Sequence, residues 1–143
     1  MNLYAESSAV VAWLLNEDSA TEVLRHLAAA ESVLASDLTL IECDRVLRRA
    51  AAVGELTEAE AADRRANMAS ASAHWHILRI APEVVERCRQ PFPVEPIRTL
   101  DSIHLASALM GRGAIAGLKV LSLDDRVRKN AVALGFEVLP PEG

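Results

Sequence analysis

Short apolar segments of strand type alternate with longer helical segments along this chain, and that order restricts the fold more than any other feature. The predicted strands are Leu3–Ala5, Val33–Ala35, Trp75–Ile80, Lys119–Leu121 and Phe136–Val138. Parallel strands need crossover connections, which helices provide, and strands that are apolar on both faces need helices on both sides. We therefore expect an α/β fold in which a short-stranded parallel sheet is flanked by helices in three α/β/α layers.

Helix-start signals agree with this order. Thr57 and Glu60 have the spacing of a capping box, and Pro82 suits the first turn of a short helix. The predicted helices begin at about Ser8, at about Ser19, at Asp37 or Thr39, after Thr57, at Pro82, at a Thr99 cap and at Asp124, and the last two end at Met110 and Leu134. The proline-rich stretch 90–96 is predicted to be a loop within a single domain that spans residues 1–143.

The charge balance excludes one common mode of nucleic-acid binding. The chain has 15 Lys and Arg residues against 20 Asp and Glu residues, a formal net charge of −5. Non-specific binding to phosphates needs clustered positive charge, and base stacking needs aromatic side chains, which make up only 3% of this chain. If nucleic acid is the substrate, individual arginines and a metal ion must bind it.

The apolar runs and the cysteines indicate a cellular location. The longest apolar run, Ala9–Leu15, is too short to span a bilayer, and no basic segment precedes it as in a signal peptide. Cys43 and Cys88 form no CxxC motif and no zinc-type spacing with histidine, so we expect two reduced thiols in or near the core. The sequence thus predicts a cytoplasmic protein that has no contact with the membrane.

Four carboxylates stand where predicted strands meet helices. Glu6 follows the first strand in YAESSAVVAWLL, and Glu42 lies early in the helix of LIECDRVLRR. Asp101 lies in the first turn of RTLDSIHLASAL, and Asp124 follows a strand in LSLDDRVRKN. Because functional groups gather beyond the carboxyl ends of parallel strands, these four side chains can meet at one edge of the sheet.

Taken singly, three of these residues have a purely structural explanation. Asp101 would complement a helix dipole, and Asp124 would cap a helix. Glu42 would form an ion pair with Arg45 or Arg49 on its own helix. Glu6 is the hardest to explain in this way, because a carboxylate between two apolar segments is costly to bury without a partner.

Together, the four carboxylates predict a metal site. At an effective dielectric constant of 20, two carboxylates ~4 Å apart repel each other by roughly 4 kcal/mol, so a cluster needs a cation or protonation. Ligands that are all oxygen favour Mg²⁺ or Mn²⁺ over zinc. Such an ion can activate water and stabilise the leaving oxygen of a phosphodiester, which is the chemistry of a nuclease.

The same segments resemble the motifs of the PIN-domain ribonucleases and, among them, of the VapC toxins of bacterial toxin–antitoxin pairs. YAESSAVVAWLL resembles the opening Tyr-x-Asp-x-Ser-Ala motif, and LIECDRVLRR resembles the family's Glu before an arginine-bearing helix. RTLDSIHLASAL matches Leu-Asp-x-[Ile/Ala]-His-Leu-Ala, and LSLDDRVRKNAVALGFEVLPP matches the ending Thr-x-Asp-x-Arg … Ala-x-x-Leu-Gly. The similarity extends from Leu3 to Pro140 and implies a PIN-like fold.

The resemblance also implies roles for individual residues. Glu6 and Asp101 take the places of the two core metal ligands. Glu42 and Asp124 take the second and fourth acidic places, where they would orient the attacking water or hold an ion. Ser8 takes the place of the family serine near the first acid, which implies a catalytic role for its hydroxyl towards metal-bound water or phosphate. Position 6 departs from the family, because Glu instead of Asp adds one methylene and changes the geometry of ligation.

His104 and three arginines are further residues to consider. His104, one helical turn after Asp101, is predicted to be a structural histidine that forms hydrogen bonds near the site. Arg45, Arg98 and Arg126 are candidates for contacts with RNA phosphates, and ion pairs on the protein surface are an equally good interpretation.

The resemblance implies a Mg²⁺-dependent endoribonuclease, with Mn²⁺ as a substitute ion, that acts on RNA as the toxin of a toxin–antitoxin pair. The implied partners are a cognate VapB-type antitoxin and a second copy of the chain in a homodimer. Two alternatives stay open. One is a catalytically degenerate PIN-fold module for protein interaction, and the other is a receiver-like or phosphatase domain, which would need a nucleophilic Asp near the first strand.

Overall fold

A parallel sheet forms the centre of the computed structural model, which describes residues 1–142. Its strands are β1 (Asn2–Ala5), β2 (Ser32–Ser36), β3 (His76–Leu78), β4 (Lys119–Leu121) and β5 (Val138–Leu139). Their order in the sheet is β3-β2-β1-β4-β5, and every neighbouring pair is parallel. The prediction of a short-stranded parallel sheet is confirmed.

Seven helices lie within the same residues and cover the sheet. They are α1 (Ser7–Leu14), α2 (Ala20–Ala29), α3 (Asp37–Ala52), α4 (Glu58–Ser72), α5 (Pro82–Cys88), α6 (Thr99–Ala114) and α7 (Asp125–Ala133). None of these seven has both the length and the apolar character needed to cross a membrane.

Alternate residues of the strands pack against opposite helix layers. Tyr4 of β1 belongs to the buried cluster that contains Leu105 of α6 and Val127 of α7. Its neighbour Leu3 belongs to a different cluster, with Val23 of α2. Because successive side chains of a strand point to opposite faces, this division shows helices on both sides of the sheet, and the three predicted layers are confirmed.

Local hydrogen bonds explain the start of α4. The Thr57 hydroxyl accepts a hydrogen bond from the backbone N–H of Glu60 at 3.0 Å, and the Glu60 carboxylate accepts one from the N–H of Thr57 at 3.0 Å. This reciprocal pair satisfies two backbone donors that a helix start would otherwise leave unpaired. The predicted capping box is confirmed.

Helix α6 differs from its prediction at both ends. Its N-cap is Arg98 rather than Thr99, because Arg98 is the residue with extended backbone before the first turn, and the helix continues beyond Met110. Gly111 permits this continuation, because a Cβ atom at that position would lie 2.9 Å from a methyl carbon of Leu34 on β2. Close packing on the sheet thus outweighs the low helix propensity of glycine.

Two strands are shorter than predicted. Only three residues of the predicted strand Trp75–Ile80 form β3. The N–H of Trp75 donates to the carbonyl of Ser72 at 3.0 Å and closes a turn after α4, so the strand begins after Trp75. Phe136 lies outside β5, because its N–H donates to the carbonyl of Ala131 at 2.9 Å at the end of α7. The Phe136 side chain packs into the core instead.

The topology creates a crevice between β1 and β4. The chain adds β2 and β3 on one side of β1 and then adds β4 and β5 on the other side. Ligands of open α/β sheets bind outside the carboxyl ends of the strands at such a switch point. Glu6 follows β1 and Ser122 follows β4 at this position.

The two cysteines are free thiols in different surroundings, as predicted. Cys43 is completely buried in the core with Val10 and Leu47, and Cys88 is half-buried at the end of α5. Burial, with a smaller contribution from the charge of Glu42, raises the pKa of the Cys43 thiol to about 12.

Labelling with a thiol reagent at pH 8 is therefore expected to detect one cysteine in the folded protein and two after unfolding. A thiol with a pKa near 12 is thiolate in only about one molecule in 10⁴ at pH 8, and the thiolate is the reactive form. Absorbance of the released reagent measures the number of labelled thiols. In Cys88→Ala the rapid reaction should disappear, whereas two rapid equivalents in the wild type would contradict the burial of Cys43.

Thr57→Ala is expected to lower the free energy of unfolding by about 1 kcal/mol, because it removes the acceptor for the Glu60 N–H. Urea denaturation followed by circular dichroism measures this change. Thr57→Ser keeps the hydroxyl and should retain most of the stability. An equal loss in both variants would show that the side-chain methyl group, rather than the cap, is responsible.

Candidate functional site

Glu6 is a buried carboxylate at the carboxyl end of β1, where it also caps α1. One oxygen, Oε2, accepts a hydrogen bond from the backbone N–H of Ser8. The other, Oε1, accepts hydrogen bonds from the hydroxyls of Ser8 and Ser122, both at 3.0 Å. Burial raises the pKa of the Glu6 carboxyl above its usual range, while His104 and these hydrogen bonds act in the opposite direction.

Ser7 connects Glu6 to Glu42 of α3. The Ser7 hydroxyl lies 2.7 Å from Oε1 of Glu42 and 3.3 Å from Oε2 of Glu6. A hydroxyl has one proton, and the shorter distance assigns its donation to Glu42. The structure thus brings the first and second predicted acidic residues to the same serine.

His104 holds Glu42 from the other side of the site. Its Nε2 atom lies 2.6 Å from Oε1 of Glu42, and its Nδ1 atom lies 2.8 Å from the hydroxyl of Tyr4. Partial burial raises the pKa of the Glu42 carboxyl, but hydrogen bonds from His104 and Ser7 outweigh this effect and lower the pKa below its usual range. An ionised carboxylate can only accept, so Nε2 of His104 has the hydrogen that it donates to Glu42.

Two interpretations of the sequence are resolved by these contacts. Glu42 does not pair with Arg45 on its own helix, because its Oε1 atom faces Ser7 and His104 in the interior of the site. His104 is buried, with 3% of its surface exposed, and has a partner at each ring nitrogen. It therefore has the geometry predicted for a structural histidine.

Asp101 and Asp124 form a second pair, which is joined by Arg98. The Arg98 side chain donates from Nε to Oδ2 of Asp101 at 3.0 Å and from Nη2 to Oδ1 at 3.2 Å. The same Nη2 atom donates to Oδ2 of Asp124 at 2.8 Å. Arg98 is therefore an ion-pair partner of two predicted site residues.

Ser122 links the two pairs across the crevice. Its hydroxyl donates to Glu6 and accepts a hydrogen bond of 3.1 Å from the backbone N–H of Asp124. Asp124 in turn caps α7, because its Oδ1 atom accepts from the N–H of Val127 at 3.0 Å. Asp124 thus has the capping role considered from the sequence and also faces the site through its second oxygen.

The four acidic residues meet as two linked pairs rather than as one tight cluster. Within residues 1–142, no three His, Cys, Asp or Glu side chains are arranged as a ready set of metal ligands. The available donors are nevertheless all oxygen atoms, which suits a hard divalent ion. Oε2 of Glu42 accepts no hydrogen bond from the described residues, and the Arg98 side chain engages both oxygens of Asp101 and one of Asp124. The chemistry of these donors fits Mg²⁺ or Mn²⁺.

Sequence reasoning missed three residues that organise the site: Ser7, Tyr4 and Ser122. The sequence contains a signal for two of them. Ser7 comes directly after Glu6 near the end of the first predicted strand, and Ser122 directly follows another predicted strand, two residues before Asp124. No sequence signal pairs Tyr4 with His104, because 100 residues separate them in the chain.

A double-mutant cycle with Tyr4→Phe and His104→Ala is expected to show a coupling of about 1–3 kcal/mol in the free energy of unfolding. Each single change leaves a buried hydrogen-bonding partner without its mate, and the double variant removes both. Urea denaturation of the four proteins measures the coupling. Strictly additive losses would mean that the Tyr4–His104 hydrogen bond contributes nothing to stability.

Solved structures of similar fold include a toxin–antitoxin complex and a toxin. A toxin–antitoxin complex from Klebsiella pneumoniae superposes with a TM-score of 0.65 and 18% identity and covers 100% of both chains. VapC20 of Mycobacterium tuberculosis, described as a sarcin–ricin loop cleaving toxin, gives a TM-score of 0.66 and 15% identity over 94% of this chain and 95% of its own. VapBC2 of Rickettsia felis, bound to a promoter DNA fragment, gives a TM-score of 0.65 and 10% identity over 96% of this chain and 97% of its own.

These identities are low, so the superpositions establish a shared fold and no more. A comparison with curated protein sequences gives no match. A family model, in contrast, matches most of the chain directly from its sequence. That model is described as the PIN domain and matches residues 3–133, so this chain belongs to the PIN domain family, as its motifs indicate.

Proposed function

We propose that this chain is a Mg²⁺-dependent endoribonuclease of the VapC toxin type. The observation that carries the proposal is the meeting of four carboxylates at the switch point of the sheet, two joined by Ser7 and two by Arg98. A structural role alone does not require this concentration of negative charge, because carboxylates that share a region repel one another. A PIN-domain fold with these acidic positions supports nuclease chemistry.

Glu6 and Asp101 are the proposed metal ligands. Both are buried, Glu6 directly after β1 and Asp101 in the first turn of α6. Mg²⁺, or Mn²⁺ in its place, would activate water and stabilise the leaving oxygen of the RNA phosphodiester.

Glu42 and Asp124 are proposed to orient the attacking water or to help hold the ion. His104 and Ser7 fix one oxygen of Glu42 and keep its carboxylate ionised, which leaves the second oxygen as an acceptor for water. Ser8 is proposed to position the site: its hydroxyl donates to Glu6 and accepts from the N–H of Leu123 at 2.8 Å, which ties β1 to the segment before α7.

The proposed substrate and partners follow from the family and from the similar structures. RNA is the substrate in this proposal, and its binding would depend on a few local contacts because the chain has a net charge of −5. Two of the similar structures are described as a toxin–antitoxin complex and as VapBC2. By analogy, we propose a cognate VapB-type antitoxin, a homodimer and action in the cytoplasm.

RNA cleavage by the purified chain, measured against Mg²⁺ and Mn²⁺ concentration, tests the catalytic proposal. Asp101→Asn and Asp124→Asn are each expected to lower the cleavage rate by about 10² or more, because they remove charge from the site without changing its shape. Asp125→Asn is a matched control: Asp125 is the neighbour of Asp124 but is exposed, and it should retain the wild-type rate.

Equal losses in Asp124→Asn and Asp125→Asn would contradict the assignment of Asp124. If the folded wild-type chain neither cleaves RNA nor binds Mn²⁺, the catalytic proposal fails. The degenerate PIN-fold module for protein interaction would then be the better description.

A further inference from the structure

Arg98 places one positive charge beside the second carboxylate pair from an exposed position. Its side chain is 59% exposed, whereas the side chains of Asp101 and Asp124 are 8% and 25% exposed. The hydrogen bond and the charge of Asp101, with the charge of Asp124, raise the pKa of Arg98 above its already high usual value. The guanidinium is therefore a permanent positive charge beside the two carboxylates.

One nitrogen of the Arg98 side chain, Nη2, donates to both carboxylates of this pair. Within residues 1–142, it is the only hydrogen-bond donor to Oδ1 of Asp101 and to Oδ2 of Asp124. Both carboxylates keep a second anchor that does not depend on this side chain. The backbone N–H of Arg98 donates to Oδ2 of Asp101 at 3.3 Å, and the N–H of Val127 donates to Oδ1 of Asp124 at 3.0 Å.

Because both carboxylates have these separate backbone anchors, the guanidinium can leave and be replaced by another cation. Movement of the Arg98 side chain into solvent would free one oxygen on each carboxylate, while backbone hydrogen bonds hold both carboxylates in place. An exposed arginine side chain changes rotamer rapidly and retains its hydration when it leaves an ion pair.

We propose that Arg98 is an internal counter-cation that competes with the divalent ion for Asp101 and Asp124, so that the ion binds only when the Arg98 side chain leaves. This inference rests on the proposed function, because it takes these carboxylates as part of the metal site. The ion and the guanidinium need the same two oxygens and repel each other at contact distance. Arg98 thereby sets the affinity of the site for the ion.

Titration calorimetry with Mn²⁺ on the RNA-free wild-type chain measures this competition. Arg98→Ala is expected to bind Mn²⁺ about tenfold more tightly than the wild type, which corresponds to about 1.4 kcal/mol. Arg126→Ala is the matched control for charge: Arg126 is exposed and lies in the same surface depression as Arg98 and Asp124, but it donates no hydrogen bond to either carboxylate. Its affinity for Mn²⁺ should change by less than about twofold, as expected for a screened surface charge.

Nuclear magnetic resonance of the wild type provides a readout that needs no substitution. The Nε–H of Arg98 donates to Asp101, so its signal should be protected from exchange with water before Mg²⁺ is added. Saturation with Mg²⁺ should move this signal to the position of a solvated arginine. Circular dichroism verifies that Arg98→Ala keeps its helices.

The outcomes separate this inference from the proposed function. If Mn²⁺ binds to the wild type and Asp101→Asn abolishes binding, but Arg98→Ala binds no more tightly and the Nε–H signal stays unchanged, the competition is refuted and the metal site stands. Equal tightening in Arg98→Ala and Arg126→Ala would also refute competition, because it would reflect net charge alone. If neither the wild type nor Arg98→Ala binds Mn²⁺, both proposals fail together.

Discussion

The burial of the Glu6 carboxylate is the constraint on which the rest of the site depends. An ionisable group placed between two apolar segments must find hydrogen-bond donors, and here they come from two elements distant in sequence. Ser8 donates from α1 and Ser122 from the end of β4. Both serines also accept hydrogen bonds from backbone N–H groups before α7, which fixes the position of Asp124. One buried acid thus positions another carboxylate more than 100 residues away, with Ser8 and Ser122 as intermediaries separated by 114 residues.

The two carboxylate pairs are stabilised by different donors, and these donors differ in how freely they can move. Glu6 and Glu42 have hydroxyl, backbone and histidine donors that are themselves packed within the fold, so their geometry is rigid. Asp101 and Asp124 share a guanidinium on a long, exposed side chain. A rigid pair beside an exchangeable cation can admit an ion without rearrangement of the sheet.

The sequence predicts those parts of the fold that depend on local chemistry. The capping box at Thr57, the helix beginning at Pro82 and the parallel order of the strands all follow from neighbouring residues or from the alternation of elements. The length of α6 does not, because Gly111 acts as a point of close packing against β2 rather than as a helix stop. In the site, the acidic positions are visible in the sequence, whereas the Tyr4–His104–Glu42 series of hydrogen bonds depends on contacts between distant segments.

The glutamate at position 6, where the resembling motif has aspartate, fits this arrangement. Its carboxylate accepts from one backbone N–H and two hydroxyls at short range, and a third hydroxyl, that of Ser7, lies at 3.3 Å. A carboxylate has about four lone-pair positions, and the N–H of Ser8 with the hydroxyls of Ser8 and Ser122 occupies three of them. Ser7 does not occupy the fourth, because it donates its single proton to Glu42 at 2.7 Å. The longer side chain therefore satisfies the cap of α1 and still leaves one position on Oε2 for a cation.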